Sequence, residues 1–216
     1  MSTRPSALTS TSYAVLGLLS LRPGSAYDLV GEARRSLRHF WPRAERRLYD
    51  EPKRLEALGL VRAREERRGR RLRTVYEITE EGRRALEAWF ARSSAPPQFE
   101  SEAVLKASLG DLTTKEHLLA AIRELGAQAG AGLAEGREIA RAVLSGPPPE
   151  LAARLHAVAV MYEFVFSHFE TMARWAGWAE REVASWPDTT GPGDPERALG
   201  VFRRALERSG DPAPKG

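Results

Sequence analysis

Cysteine is absent from the chain. Disulfide frameworks, thiolate zinc sites and thiol nucleophiles are thereby excluded, and a reducing compartment is compatible with the composition. Histidine is scarce: His39, His117, His156 and His168 stand at no metal-ligand spacing from one another or from carboxylates, so each reads as a surface or seam residue. There is no Gly-rich loop followed by Lys-Ser/Thr and no nucleophile elbow. We therefore expect no catalytic residues, no metal and no cofactor. Long apolar runs are missing too. The one resembling a signal-peptide core, residues 13–21, follows a single basic residue, Arg4, and lacks a clear small-residue cleavage site. It is too short to span a bilayer, reads as a buried helix, and leaves the cytoplasm as the expected location.

What is present is enough for a core. Of 216 residues, 42% are apolar, which allows one large domain or two small ones. Charge is unevenly spread: residues 1–92 hold 20 Lys/Arg against 12 Asp/Glu, a balance of +8, whereas residues 93–216 hold 13 against 17, a balance of −4. A basic module joined to an acidic one points to a polyanionic partner for the first alone.

Within the basic module the stretch 43–61 organises the rest. At about 100° per residue, Ala44, Leu48, Pro52, Leu55 and Leu58 gather on one side of a helix over 43–58, and Arg43, Arg46, Asp50 and Lys53 on the other. Gly59 is its C′ stop. Residues 60–66 then alternate like a strand, Arg67-Arg68-Gly69-Arg70-Arg71 forms a basic turn, and residues 74–79 return to the core. Thr79 caps a further helix to Arg92 that carries Leu86, Trp89 and Phe90. Upstream, a helix over about 10–21 is followed by a second over 26–37, with Tyr27, Val30, Ala33 and Leu37 spaced as a buried stripe, and Phe40 and Trp41 are expected to pack beneath the module. Helix, strand, basic hairpin, strand, helix is the pattern of a winged helix-turn-helix, which we assign to residues 10–92.

Ser93-Ser94-Ala95-Pro96-Pro97 is a linker by composition. Beyond it, residues 98–209 read as an antiparallel helical domain, so the fold class is mainly α with a small β-hairpin wing. A helix over 100–109 is followed by two long ones. The longer pair shows heptad seams: Leu118, Ile122, Leu125, Ala129, Gly132, Gly136, Ile139 and Val143 on one, and Leu151 through Tyr162, Phe169, Ala176 and Val183 to Trp186 on the other. Thr113 and Glu116 fit a capping box. Folding about Pro147 is expected to set Tyr162 and Val165 opposite Gly132 and Ala129. Gly126, Gly130, Gly132 and Gly136 each cost a helix interior about 1 kcal/mol relative to alanine, which calls either for close packing against aromatics or for a cavity lined by Tyr162, Phe166, Trp175 and Trp178 that admits a small apolar or aromatic effector. A last helix is expected over 196–208. Phe164, Phe166, Trp175 and Trp178 lie off the seam and need cover, which points to a homodimer.

The residues also carry a resemblance. Tyr13-x-Val-Leu-Gly-Leu-Leu, Ala26-Tyr27-Asp28-Leu29, Leu48-Tyr49-x-x-x-Lys53-Arg54-Leu55-Glu56-x-Leu58-Gly59-Leu60-Val61 and Tyr76-Glu77-Ile78-Thr79-Glu80-Glu81-Gly82 resemble the PadR family of bacterial transcriptional regulators. The resemblance implies a homodimer that binds palindromic promoter double-stranded DNA through its third helix and wing, usually as a repressor, and that is often released by a small aromatic effector. Arg43 and Arg46 are the expected base readers. Arg47, Tyr49 and Lys53 suit phosphates, Tyr49 also by the resemblance, and Arg67, Arg68, Arg70 and Arg71 suit the backbone or minor groove. A non-specific or architectural DNA-binding protein is the alternative, separated by the ratio of operator to random-DNA affinity. In one respect the chain departs from the family, which has Pro where this chain has Asp50 and an aliphatic residue at Pro52; Pro52 is expected to kink the helix.

Overall fold

The computed structural model describes residues 8–41, 45–68, 71–191 and 193–209, with the backbone alone for residues 45, 46, 68, 71 and 209. Two compact units divide between Pro97 and Gln98.

In the first unit α1 (Ser10–Leu21) and α2 (Ala26–Ser36) each begin with a capping box, Thr9 with Ser12 and Ser25 with Asp28, so the orphan N–H groups of both first turns are satisfied by side chains. Next come α3 (Glu45–Leu48), α4 (Glu51–Ala57), β1 (Val61–Arg68), β2 (Arg71–Ile78) and α5 (Glu80–Phe90). Gly59, at φ 72°, ends α4 with the Gly59 N–H donating to Glu56 and the Leu60 N–H to Leu55, the paired bonds of a Schellman cap. The two strands pair antiparallel from Val61 opposite Ile78 out to Arg68 opposite Arg71. Arg67, Arg68 and Arg71 therefore belong to the ladder rather than to a five-residue turn, because a two-residue connection is sufficient to close a hairpin. Gly24 bridges Tyr76 from the other edge of β2. Gly82 is required where it stands: a Cβ there would sit 2.1 Å from the Leu60 carbonyl oxygen.

Leu16 and Leu19 of α1, Leu29 and Val30 of α2, Leu48, Leu55, Val61, Ile78 and Leu86 form the core, and Tyr13 stacks on Trp89 at 5.0 Å. Three further expectations for this unit change. Tyr27 is 78% exposed; Leu29 takes its place in the buried stripe with Val30 and Ala33, since the core meets the Leu29 side of that stripe rather than the Tyr27 side. Phe40 and Trp41 are exposed rather than packed beneath the module. The single helix over 43–58 is two helices separated at Tyr49 and Asp50.

The second unit is built on α7 (Lys115–Leu144) and α9 (Leu155–Ala184), packed side by side, with α6 (Glu102–Ser108) against α7, the short α8 (Pro149–Ala152) in the connection, and α10 (Pro195–Ser209) last. Its best-buried cluster is Leu118, Ile122, Ala176, Ala179 and Val183, covered by Trp175, Trp178 and Trp186. Lys115 ties the ends together by donating from Nζ to the Ala184 carbonyl at 2.7 Å and to that of Trp186, satisfying acceptors that the end of α9 leaves free. The N-cap of α7 is Thr114, whose side chain accepts from the His117 N–H, one residue later than the capping box expected from Thr113.

The helix pairing also differs in register. A Cβ on Gly132 would meet Phe169 ring carbons at 2.5 Å, one on Gly136 would meet Phe166 at 2.7 Å, and the Tyr162 hydroxyl donates to the Gly136 carbonyl. Gly132 therefore faces Phe169, not Tyr162. The return is not a tight turn about Pro147: α8 lies in it and α9 starts only at Leu155, which displaces the partner by about two helical turns. At Gly132 and Gly136 the glycines make room for aromatic rings. Gly130 has nothing within 4 Å of such a Cβ and is exposed.

These two kinds of glycine are separable by alanine substitution. Gly130→Ala should stabilise the fold by about 0.5–1 kcal/mol through helix propensity, whereas Gly132→Ala should destabilise it by about 1–3 kcal/mol because Phe169 must move. Denaturant midpoints at fixed protein concentration measure both signs.

Candidate nucleic-acid interface

Pro52 explains why the helix expected over 43–58 is interrupted. A prolyl nitrogen has no hydrogen to donate to the Leu48 carbonyl, and its ring crowds that oxygen, so the chain stops at Leu48 and restarts at Glu51. In α4, Pro52 then lies in the first turn, where helical N–H groups have no intrahelical acceptor and the missing donor costs nothing. The expected kink is thus a break. Leu48, Pro52 and Leu55 remain fully buried beneath it, while Arg47, Tyr49 (46% exposed) and Lys53 lie on the outside. Arg43 and Arg70 fall outside the described residues, and Arg46, Arg68 and Arg71 are located by backbone only.

The basic module's cations fall into two classes. Arg22 and Arg35 both meet Glu32, at 3.1 and 2.7 Å; Arg62 meets Glu77 at 2.9 Å, Arg64 meets Glu66 at 3.2 Å, and Arg84 meets Glu81 at 2.8 Å. Each is an exposed pair of small energetic weight, yet each neutralises a charge close to the surface. Among the described residues, Arg47, Lys53, Arg67 and Arg83 make no ion pair. The first three lie in the segment around Pro52 and on the hairpin, where their charge is open to an anion.

One polar cluster had only partial signal in the sequence. Arg73 of β2 donates from Nη1 to Asp28 at 3.1 Å and from Nη2 to Glu66 at 3.1 Å, joining both strands of the hairpin to the start of α2. Asp28 itself accepts from the Ser25 hydroxyl at 2.7 Å and from its N–H at 2.9 Å. The Ser25 hydroxyl, foremost, holds the Asp28 carboxyl below the usual carboxylate range, helped by the Ser25 N–H and the Arg73 and Arg22 guanidiniums against the opposing effect of burial. The Ser-x-x-Asp spacing is legible as a cap; the arginine 45 residues away is not. A second such cluster, Ser12 with Glu51 and Arg54, joins α1 to α4.

The four aromatic residues considered for an effector do not converge within α9. Tyr162 stacks on Phe166 at 5.6 Å beside Gly136, whereas Trp175 and Trp178 cover the cluster around Leu118 and Ala176. Nine residues separate Phe166 from Trp175, which at about 100° each puts them on opposite sides of the helix and about 13 Å apart along it.

Comparison with known proteins follows this division of the chain. Residues 15–88 match the transcriptional regulator PadR-like family. Over 97 residues the chain is 32% identical to the negative transcriptional regulator PadR of Bacillus subtilis (strain 168), an overlap of 44% of this chain and 53% of that protein; the match spans about half the length of that relative. Among solved structures, Bacillus subtilis PadR in complex with operator DNA aligns with a TM-score of 0.69 at 20% identity, over 81% of this chain and 99% of that one. The same regulator in complex with p-coumaric acid aligns at 0.64 and 19%, over 82% and 100%. At about one-fifth identity these structures bear on the fold, which is theirs.

The Asp28 clamp gives a pH-dependent expectation. A carboxylate whose folded-state pKa is depressed contributes stability that is present above its unfolded value and lost as pH falls through the folded one. Asp28→Asn should accordingly lower the unfolding midpoint at pH 7, and the gap from wild type should shrink from about pH 5 downward as the unfolded carboxyl, near 3.9, begins to protonate. Thermal melts across pH 2.5–7 (about) measure it; a gap independent of pH over that window counts against the clamp.

Proposed function

We propose, from the premise that residues 15–88 are a PadR-like domain, that this protein is a sequence-specific DNA-binding transcriptional regulator that acts as a repressor on palindromic promoter DNA. The observation that carries the reading is the placement of unpaired cations: Arg47 and Lys53 flank the recognition segment and Arg67 lies toward the tip of the wing, while the cations nearer the wing's base are paired with carboxylates. Arg43 and Arg46 read base edges in this scheme, Tyr49 joins Arg47 and Lys53 at phosphates, and Arg67, Arg68, Arg70 and Arg71 follow the backbone. Residues 10–92 are the DNA-binding domain. Nothing in the reading requires an enzyme.

Residues 98–209 serve dimerisation. Ile139, Leu144, Val160 and Phe164 are exposed on the far half of the helix pair, and a second copy covers them in a homodimer, whose twofold axis matches a palindrome. The p-coumaric acid complex of the Bacillus subtilis regulator supports release by a small aromatic compound as the mode of control. The protein works in the cytoplasm, where its promoter is.

Sedimentation at micromolar concentration should give twice the 23.9 kDa chain mass. On a duplex selected by the protein from a random pool, Arg46→Ala should weaken binding by about 1–3 kcal/mol and relax preference at one base position. Arg67→Ala should weaken selected and scrambled duplexes alike and lower the salt slope. A monomer, or a reversal of the two variants' behaviour, overturns the scheme.

A further inference from the structure

We propose that Glu51 is a positioning residue for base reading: its buried carboxylate, gripped by Ser12 of α1 and Arg54 of α4, sets the orientation of the α3–α4 segment on which sequence discrimination depends. The inference rests on the DNA-binding reading above and deepens it.

Ser12 is fully buried and Glu51 is 8% exposed, an unusual location for a carboxylate unless it is partnered. Its Oε1 accepts from the Ser12 hydroxyl at 2.6 Å, across 39 residues of sequence, and from Arg54 Nη1 at 2.6 Å. The same hydroxyl accepts from the Thr9 N–H at 2.9 Å and from Arg54 Nη1 at 3.2 Å. One donated and two accepted bonds use the full capacity of a serine hydroxyl, and the Thr9 hydroxyl lies 3.2 Å from it as well. Through this hydroxyl α4 is tied to the first turn of α1.

The recognition segment needs such a fixture. α3 has four residues and α4 has seven, and the Asp50 side chain, at the N-cap of α4, makes no capping bond. Neither length persists by its own hydrogen bonds. Leu48, Pro52 and Leu55 hold the segment down, but apolar burial is non-directional and tolerates rotation of a short helix about its own axis. Hydrogen bonds to a buried carboxylate do not. Glu51 lies one turn before Arg54 and two residues before the exposed Lys53, so a rotation that frees Glu51 also moves Lys53, and Tyr49 two residues before it.

The test uses the full-length protein, the duplex it selects from a randomised pool, and a scrambled duplex of the same composition. Glu51→Gln keeps the volume and removes the charge; Ser12→Ala keeps the Glu51–Arg54 pair and removes the link to α1. Each should reduce the ratio of selected to scrambled affinity about tenfold, the order of one charge-assisted hydrogen bond, while scrambled-duplex affinity falls by less, because it loses only the Lys53 and Tyr49 phosphate contacts and keeps those of the wing. Leu86→Ala, a core truncation away from the cluster, should lower the melting temperature and leave the ratio unchanged. If both cluster variants remain folded at the assay temperature and keep the wild-type ratio, or if Leu86→Ala lowers it equally, Glu51 only stabilises the fold and the proposal is overturned. Failure of the wild type itself to prefer any selected duplex overturns the DNA-binding reading instead, and the inference with it.

Discussion

A helix of seven residues does not persist in water on its own hydrogen bonds, and α4, from Glu51 to Ala57, is that short. Its existence and direction are set from outside. At its start the buried carboxylate of Glu51 is tied to α1; in its middle Leu55 is completely enclosed, a burial that contributes about 1.5–3 kcal/mol; at its end Gly59 turns the chain through a left-handed conformation directly into the wing. The last of these ties is shared. The Leu60 carbonyl accepts from the Thr79 N–H, and the Thr79 hydroxyl donates to the Gly59 carbonyl while capping α5. The end of the recognition segment, the root of the hairpin and the start of α5 therefore form one hydrogen-bonded knot, closed so tightly that only glycine fits at position 82. The two parts of the proposed DNA-contacting surface that are far apart in their chemistry, a short helix and a basic ribbon, are held to one another by the Thr79 hydroxyl and by a backbone bond, Thr79 N–H to the Leu60 carbonyl, that no side-chain substitution removes.

The helical unit meets a different constraint with a different solution. Two helices of 30 residues gain stability by packing along their length, but α7 carries glycine where α9 carries Phe166 and Phe169. Without side chains at Gly132 and Gly136 the rings approach the α7 backbone directly, and the helix-propensity cost of each glycine, about 1 kcal/mol, is offset by burying aromatic surface. The arrangement also favours one register, because sliding by one turn would leave one of the two rings against a residue that has a Cβ atom. Burial is uneven along the pair: Leu118, Ile122, Leu125 and Ala129 are buried, whereas Ile139 and Leu144 are exposed.

Patterns that depend on neighbours in sequence were legible. Helix starts at Ser25 and Thr79, the stop at Gly59, the alternation of the wing and the boundary-like Ser93–Pro97 composition all act over a few residues, so periodicity and cap chemistry reveal them. What escaped depends on distance. Tyr27 fits the buried stripe of an isolated α2 as well as Leu29 does, and only the direction from which α1 and the core approach decides that Leu29 goes inside. The α7–α9 register failed by the length of a connection that contains a helix of its own. The break at Tyr49 and Asp50 was half legible: the chemistry of Pro52 announced a disturbance, but whether a helix bends or restarts depends on tertiary anchors at either side. Of the candidate site, the outward positions of Arg47, Tyr49 and Lys53 follow from helical spacing around Leu48 and Leu55, while Asp28 and Ser12, which Arg73 and Glu51 meet in other elements, lie 45 and 39 residues away and have no local signature.

Formal charge is a poor guide to where a polyanion is met, and the basic module shows why. Its balance of +8 counts every arginine equally, yet Arg62, Arg64 and Arg73 face Glu77, Glu66 and Asp28 within 3.2 Å. A phosphate approaching such an arginine must share it with, or displace, a carboxylate already there, and the gain from releasing condensed counterions is correspondingly smaller. Arg47, Lys53 and Arg67 pose no such competition. The register of the strands produces this sorting, because it pairs Arg62 with Glu77 near the base and Glu66 with Arg73 farther out, whereas in the last two pairs Arg67 is opposite Leu72 and Arg68 opposite Arg71. Ladder positions that hold a carboxylate neutralise the hairpin near its root, and those without one leave it cationic toward the tip. A ribbon built this way carries its unbalanced charge away from the strand ends that join the core.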